Sequence, residues 1–312
     1  MQPREGLIDT NSLSAGGRSI RLHYLEWGDP NLPPAVLLHA TGFLARLWQP
    51  VAETLSARFH VFAYDSRGHG DSDKPVLSAL RTPMLRSESE AEGPPSDYHW
   101  QHFVDDLRGF LDTLKLRDVL AVGHSGGGAA VAYLAASEPH RLARAVLIEP
   151  IIVPPYEGSP IGSEPRHDLA AGARRRRMVW SSPDELYRSY RRRPTFARWR
   201  EDILRLYAEH GTSRREDGQV ELKCPGDVEA QVFENSSSLD IWSILPRVTC
   251  PTLVMRGELT DAYLAFIAEG VAARIPEGRL ATIPDAGHLA PFERPEAVAA
   301  QVLAFAEEGA DS

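Results

Sequence analysis

Short apolar runs that alternate with helical patterns most constrain the fold of this 312-residue chain. A run of about four apolar residues without alternation is typical of a strand buried on both faces. Such runs occur at residues 35–38, 61–64, 119–122 and 145–148, and mainly apolar segments resume the pattern at 252–255 and 280–283. Residues 20–27 alternate as a half-exposed strand does. Helical periodicity lies between or after them, at residues 47–55, 103–116, 129–136 and 295–308. This order predicts an α/β fold with a mostly parallel central sheet flanked by helices.

One long segment interrupts the alternation. Residues 153–246 lie between the strands predicted at 145–148 and 252–255, and they are rich in Trp, Tyr and Leu. Because these side chains need a buried surface, we expect the segment to be structured and mainly helical. The sequence therefore predicts a core made of residues 1–152 and 247–312, with residues 153–246 inserted as a mainly helical subdomain.

Composition excludes several classes of protein. Hydrophobic residues make up 43% of the chain and charged residues 25%, both ordinary values for a globular domain. The net charge of −9 argues against a nucleic-acid partner, because phosphate contacts need positive surface. The two cysteines, Cys224 and Cys250, argue against a disulfide framework. With no long apolar window and no apolar leader run at the start, we expect a cytoplasmic protein without a membrane partner.

The segment Gly123-His124-Ser125-Gly126-Gly127 is the strongest chemical signal. It matches the pattern G-x-S-x-G, with a predicted strand directly before it and a small-residue helix directly after it. A serine on so sharp a strand-to-helix turn needs small neighbours, which the glycines provide. We therefore predict that Ser125 is a nucleophile and that the helix N-terminus beside it favours a developing negative charge.

A serine nucleophile needs a base and an acid that orients the base. Of eleven histidines, His288 follows the last predicted strand, which places it at the same carboxyl edge of the sheet as Ser125. For the acid we choose Asp261, with Glu258 as the alternative, since both follow the strand at 252–255. Glu149, at the end of the strand before the inserted segment, is a third candidate.

The loop after the strand at 35–38 is the candidate oxyanion loop. Its sequence continues as His39-Ala40-Thr41-Gly42, and Gly42 allows the chain to fold back on itself. Backbone N–H groups of Thr41 and Gly126 are the predicted donors to the oxyanion.

These residues together resemble the α/β-hydrolase superfamily, over nearly the whole chain. The order Ser, Asp, His is that of this superfamily, and residues 65–72 are similar to its D-x-R-G-x-G-x-S loop. Residues 287–295 resemble its C-terminal G-H-x-x-x-x-E-x-P signature. The resemblance implies that residues 153–246 form a cap that shapes the substrate pocket. It also implies an esterase-like member, because Ser125 stands where related epoxide hydrolases and dehalogenases need a carboxylate.

The expected reaction is hydrolysis of a small-molecule carboxylic ester through an acyl-enzyme. Between Arg166 and Arg205 the chain has twelve arginines against five acidic residues. This excess suggests that a lid arginine binds a carboxylate of the substrate, as in a monoester of a dicarboxylic acid such as a monoalkyl phthalate. A solvated helical surface is the plainer interpretation of the same charges.

Three other functions remain open on this fold. They are C–C bond hydrolysis of meta-cleavage products, cofactor-free perhydrolase or haloperoxidase chemistry, and ligand binding without turnover. No cofactor is expected, since the sequence shows no metal-ligand cluster, P-loop or dinucleotide motif. The sequence does not indicate the oligomeric state.

Overall fold

A computed structural model describes residues 2–14, 16–75, 96–155 and 165–308 of the chain, with only the backbone of 165–168. Within these residues the strands are β1 (Arg4–Leu13), β2 (Ser19–Trp27), β3 (Pro34–Leu38), β4 (His60–Tyr64), β5 (Val119–His124), β6 (Leu142–Ile148), β7 (Val179–Trp180), β8 (Thr212–Arg214), β9 (Val220–Leu222), β10 (Thr252–Gly257) and β11 (Gly278–Ile283).

The helices of the same residues are α1 (Gln49–Leu55), α2 (Trp100–Thr113), α3 (Gly126–Ser137), α4 (Pro165–Arg174), α5 (Pro183–Arg191), α6 (Pro194–Ala197), α7 (Glu201–His210), α8 (Gly226–Glu234), α9 (Ala262–Arg274), α10 (Ala290–Glu293) and α11 (Pro295–Glu307). Short 3₁₀ helices lie at Ala45–Trp48, Pro139–Arg141 and Trp242–Arg247.

The central sheet has eight strands in the order β1-β2-β4-β3-β5-β6-β10-β11. The pairs β1/β2 and β2/β4 are antiparallel, and the other neighbouring pairs are parallel. This confirms the predicted mostly parallel sheet. It also brings the carboxyl ends of β3, β5, β6, β10 and β11 to one edge, where doubly wound sheets place their sites.

Helices cover both faces of the sheet, as a parallel sheet requires. Alternate strand residues divide between two apolar clusters. Val36 and Ala121 belong to the cluster with α2, α3 and α9, whereas Leu37 and Val122 belong to the cluster with α1 and α11. Because every second side chain of the same strand is buried on the opposite face, the central strands have no polar side, which explains their wholly apolar runs.

The segment between β6 and β10 contains α4 to α8 and a separate three-stranded antiparallel sheet, in the order β7-β9-β8. It buries an apolar cluster of its own, which includes Trp180, Tyr190 and Trp199 and also takes in Leu44 and Phe292 from the rest of the chain. The small sheet adds strand structure to a segment that the sequence describes as mainly helical. Residues 156–164 of the predicted lid lie outside the described residues.

In the described part of the chain, no helix is both long enough and apolar enough to cross a membrane.

Candidate active site

Ser125 lies at the turn between β5 and α3, with φ 56° and ψ −117°. A non-glycine residue rarely adopts a positive φ, and this conformation costs on the order of 1–3 kcal/mol. The turn is possible because its neighbours have no side chain. A Cβ on Gly123 would lie 2.3 Å from the carbonyl oxygen of Gly127, and one on Gly127 would lie 2.7 Å from that of Leu38. The strained turn therefore holds the serine hydroxyl at the carboxyl edge of the sheet.

His288 lies in the loop that joins β11 to α10. Its Nε2 is 3.1 Å from Ser125 Oγ, within hydrogen-bond reach for a general base. The imidazole is partly open, with 28% of the side chain exposed. The structure thus brings together the two residues for which the sequence predicts nucleophile and base, although they are 163 positions apart.

Glu149 is the carboxylate that meets His288. Its Oε2 lies 3.3 Å from His288 Nδ1. The side chain is buried, and its two oxygens accept hydrogen bonds from the backbone N–H of Gly257 at 2.6 Å and from Thr260 Oγ1 at 3.0 Å. These donors fix the carboxylate where it can hold the proton of the imidazole on Nδ1, which leaves Nε2 free to accept a proton from Ser125.

Asp261 does not occupy this position. Its Oδ1 accepts from the backbone N–H groups of Tyr263 and Leu264, both at 3.0 Å, so the carboxylate caps α9. The alternative acid, Glu258, accepts from the backbone N–H of Asp285 at 2.9 Å. In the described residues, the carboxylate within hydrogen-bond distance of His288 is that of Glu149, which the sequence placed third.

The register of the sheet explains this difference. Strand β6 is hydrogen-bonded to β10 with Ile148 opposite Met255, so the residue after Ile148 emerges beside the loop that follows β10. The backbone N–H of Glu149 donates to the carbonyl oxygen of Met255 at 2.8 Å, which anchors it there. The sequence did offer one signal for Glu149, a carboxylate directly after a buried strand at the carboxyl edge. The register of β6 on β10, which brings this carboxylate to His288, cannot be predicted from residue spacing.

Thr41 and Gly126 lie on the same wall of the site as Ser125. A Cβ on Gly126 would be 3.1 Å from Thr41 Oγ1, so the predicted oxyanion loop packs against the first residue of α3. Both residues line the cavity that also contains Ser125 and His288. The structure therefore brings Thr41 and Gly126 together in the cavity that Ser125 lines.

Two buried histidines hold the loops around this wall. His39 Nε2 accepts from the backbone N–H of Ser66 at 2.9 Å, and His69 Nε2 accepts from that of Gly42 at 3.0 Å. Burial lowers the pKa of His39 and, with the neighbouring His39 ring, lowers the pKa of His69 to about 3. Both rings are therefore neutral acceptors that pack the loops.

His124, the residue before the nucleophile, supports the histidine loop. Its Nε2 donates to the backbone carbonyl oxygen of His288 at 2.8 Å, and the two rings lie 5.3 Å apart. Burial and the neighbouring His288 lower the pKa of His124 to about 3, so this ring is neutral. Sequence reasoning missed this contact, because it joins two loops that are far apart along the chain.

A cavity of about 520 Å³ opens at the serine and the histidine. Its walls are mainly apolar or aromatic, and they come from both the core and the segment 153–246. The lining residues are Thr41, Trp100, Ser125, Gly126, Ile151, Val153, Leu169, Phe233, Ser236, Asp261, Tyr263, Leu264, Ile267 and His288. Apolar walls around a few polar groups are typical of a small-molecule site.

Arginines of the segment 153–246 lie elsewhere. None of the described residues that line the cavity is Arg or Lys. Six described arginines between residues 166 and 205 instead form ion pairs with protein carboxylates: Arg174 with Glu234, Arg176 with Glu229, Arg177 with Glu185, Arg198 with Glu293, Arg200 with Asp202, and Arg205 with Glu201. The expected arginine partner for a substrate carboxylate is therefore not found among them.

One group of metal-compatible side chains exists in the described residues, formed by His23, Asp65 and Asp71. The buried Asp65 carboxylate is already committed to protein donors, since it accepts from the backbone N–H groups of Ala45 and Asp71 and pairs with His23 Nδ1. Although burial alone would raise it, the hydrogen bond from His23 and the backbone N–H of Asp71 help to lower the pKa of Asp65 to about 2. These contacts are those of a structural turn.

A strained serine elbow at the carboxyl edge of an eight-stranded, mostly parallel sheet defines the α/β-hydrolase class of fold. The chain belongs to the alpha/beta hydrolase family, whose model matches residues 35–301.

Curated relatives include hydrolases and esterases. The bifunctional esterase/perhydrolase of Acinetobacter calcoaceticus is 25% identical over 311 residues, covering 92% of this chain and 96% of that protein. A non-heme chloroperoxidase of Streptomyces lividans is 32% identical over 136 residues, which is 43% of this chain and 42% of the relative. Among solved structures, E-2-(acetamidomethylene)succinate hydrolase superposes with a TM-score of 0.77 at 23% identity, covering 98% of this chain and 99% of that one. The last similarity is one of fold.

Proposed function

We propose that this chain is a serine hydrolase that cleaves a carboxylic ester. The observation that carries the proposal is the hydrogen-bonded series Ser125–His288–Glu149, with contacts of 3.1 Å and 3.3 Å, at the end of a cavity of about 520 Å³. Nucleophile, base and orienting acid in this geometry are the parts that acyl transfer requires.

In the proposed mechanism, Ser125 Oγ attacks the ester carbonyl carbon while His288 Nε2 takes the hydroxyl proton. The carbonyl oxygen becomes an oxyanion that accepts hydrogen bonds from the backbone N–H groups of Thr41 and Gly126. Collapse of the tetrahedral intermediate breaks the C–O bond, and His288 returns the proton to the leaving alcohol. Water activated by His288 then hydrolyses the acyl-enzyme. Throughout, Glu149 holds the Nδ1–H tautomer and stabilises the imidazolium.

The cavity supports an uncharged, largely apolar ester as substrate. Its volume lies in the range of about 300–1,000 Å³ that is usual for small-molecule pockets. Among the described residues that line the cavity, the one carboxylate is that of Asp261. A second carboxylate, that of Glu149, lies behind the imidazole of His288. An anionic monoester would therefore meet negative charge and no described cation. We accordingly favour neutral esters over the monoester of a dicarboxylic acid that the arginine count suggested.

We further propose that the segment 153–246 acts as the lid of this site. Val153, Leu169, Phe233 and Ser236 supply one wall of the cavity. Leu169 is about half exposed, which places it at the mouth. The length and shape of the acid or alcohol group would then be selected by this segment.

The experiment is an ester panel with Ser125→Ala as control. We expect hydrolysis of neutral p-nitrophenyl and aromatic diesters by the wild type, with matching monoesters turned over at least tenfold more slowly. Ser125→Ala should remain folded by circular dichroism and lose turnover. Undiminished activity in Ser125→Ala would refute the proposal, and a preference for monoesters would refute the substrate assignment.

Perhydrolysis is a second candidate, because a relative that matches nearly the full length is named as a bifunctional esterase/perhydrolase. Hydrogen peroxide would replace water as the acceptor of the acyl group, so an acid and a peroxide give a peracid and water. Peroxide-dependent bromination of a dye in the presence of acetate would support it. If the protein hydrolyses esters but brominates no dye, perhydrolysis is refuted and ester hydrolysis remains the proposed activity.

A further inference from the structure

Arg176 differs from its neighbours in the run of four arginines at residues 174–177. Its side chain is 14% exposed, whereas those of Arg174 and Arg177 are 42% and 51% exposed. Arg176 Nη1 lies 2.7 Å from Glu229 Oε2, and its Nη2 donates to the backbone carbonyl oxygen of Cys224 at 3.1 Å. Although the run of arginines is typical of a solvated surface, Arg176 is therefore largely buried and contacts the N-terminal part of α8.

Glu229 of α8 lies against the candidate oxyanion loop. The residue is buried, and burial raises the pKa of its carboxyl group. A Cβ built on Gly42 would be 2.3 Å from Glu229 Oε1, so the carboxylate occupies the space that a side chain at position 42 would need. Gly42 also has φ +84°, a conformation that favours glycine. The Gly42 turn and the Glu229 side chain thus fit together closely.

This turn directly follows Thr41, which lines the cavity beside Ser125. The backbone N–H of Gly42 donates to His69 Nε2 at 3.0 Å. The turn is therefore held from two sides, by a core histidine and by a carboxylate of the segment 153–246. Without Arg176, Glu229 would be a buried carboxylate lacking its cationic partner, a state that strongly favours movement toward water.

We propose that Arg176 and Glu229 are positioning residues that hold the Gly42 turn and thereby aim the backbone of Thr41 at the oxyanion. The inference rests on the proposed ester hydrolysis and adds that the segment 153–246 builds part of the transition-state site as well as the pocket wall. Loss of one oxyanion donor costs roughly 10²–10³ in rate. Since a displaced donor is weakened and not removed, we expect about a 10- to 100-fold loss of kcat.

The test compares Arg176→Met and Glu229→Ala with Arg174→Met and Glu234→Ala. The second pair is a matched control, because Arg174 and Glu234 join the same two segments through an ion pair that lies 40% or more exposed. Each variant is assayed at a temperature where thermal unfolding shows it to be folded. We measure kcat and KM for one neutral ester, and the affinity for a boronic acid that mimics the tetrahedral intermediate at Ser125.

We expect the buried pair to lower kcat and boronate affinity together by 10- to 100-fold with KM within threefold, and the exposed pair to change neither. Arg176→Lys, which keeps the positive charge, should recover part of the kcat. A kcat unchanged in the folded Arg176 and Glu229 variants, an equal loss in the control pair, or a loss confined to KM would overturn the inference. Ser125→Ala separates the two proposals: turnover by that variant removes the ester-hydrolase assignment itself, whereas its inactivity leaves only the positioning role in question.

Discussion

Replacement of Glu149 by Gln should nearly abolish activity while Asp261→Asn should not. The structure predicts this contrast because the Glu149 carboxylate makes three contacts that an amide cannot reproduce together. Oε1 accepts from the backbone N–H of Gly257, which can only donate. A glutamine must therefore turn its carbonyl oxygen toward Gly257, and its NH₂ group then takes the place of Oε2 opposite His288 Nδ1.

An NH₂ donor in that place forces His288 Nδ1 to act as acceptor, so the imidazole proton moves to Nε2. Protonated Nε2 cannot take the proton of Ser125. An acid-to-amide change of this kind in a serine protease lowers kcat about 10⁴-fold, which corresponds to about 5.4 kcal/mol at 1.36 kcal/mol per tenfold. For a contact of 3.3 Å, which is longer than an ideal hydrogen bond, we expect a loss of about 10³- to 10⁴-fold.

The matched control is Asp261→Asn. Asparagine caps helices about as well as aspartate, so α9 and the fold should be preserved. We expect kcat for a neutral ester to stay within threefold of the wild type. The assay is release of p-nitrophenol at pH 8, with circular dichroism and thermal unfolding to show that both variants are folded. A loss of 10³-fold in Asp261→Asn, with Glu149→Gln nearly unaffected, would refute the assignment of the acid and restore the order read from the sequence.

Three further predictions concern the charge of the pocket wall, the serine turn and the buried histidines. Asp261→Asn should raise kcat/KM for an anionic monoester relative to its neutral diester by about 3- to 10-fold, as expected for removal of one charge from the pocket wall; an unchanged ratio would contradict the inferred pocket charge. Gly127→Ala should destabilise the fold by about 1–3 kcal/mol in urea unfolding, since its Cβ would lie 2.7 Å from the carbonyl oxygen of Leu38; a wild-type midpoint would argue against so tight an elbow. The pKa values of about 3 for buried His69 and His124 lie below the unfolded value of about 6.5. The unfolded state therefore binds more protons below pH 6.5, and each ring should lower the free energy of unfolding by about 1.4 kcal/mol per pH unit as pH falls toward 4. His69→Gln should show a shallower dependence, and an equal slope would contradict the burial of a neutral ring.

The sequence was sufficient for the sheet and for the position of Ser125 on the strand-to-helix turn, because both depend on local patterns. Wholly apolar runs mark strands buried on two faces, and the glycines around Ser125 are required by a turn only a few residues long. His288 could be placed because the loop that follows a parallel strand begins at the carboxyl edge of the sheet.

Which carboxylate contacts His288 could not be predicted in the same way. Three acidic residues, Glu149, Glu258 and Asp261, follow strands at the same edge, and only the register of β6 on β10 decides which one reaches His288. The Asp261 carboxylate instead accepts hydrogen bonds from the backbone N–H groups of Tyr263 and Leu264 and caps α9. This local role competes with a contact to His288.

Two other features depend on long-range packing. Strand β1 has a mostly exposed, half-polar pattern, because it is the edge of the sheet, so its sequence lacks the apolar run that marks the central strands. The run of arginines looked uniform, yet the packing of α4 on α8 buries Arg176 and leaves Arg174 half-exposed in an ion pair with Glu234. Neither distinction follows from composition or spacing.

The central claim is that Ser125 is the nucleophile of a covalent acyl transfer. Incubation with a fluorophosphonate, followed by proteolysis and mass spectrometry, tests it most directly, since the reagent forms a stable bond with an activated serine. We predict a single adduct on the peptide that contains Ser125, formed slowly or not at all in Glu149→Gln and His288→Ala. An unlabelled Ser125 peptide in a folded, ester-hydrolysing protein, or labelling that persists in Ser125→Ala, would contradict the account.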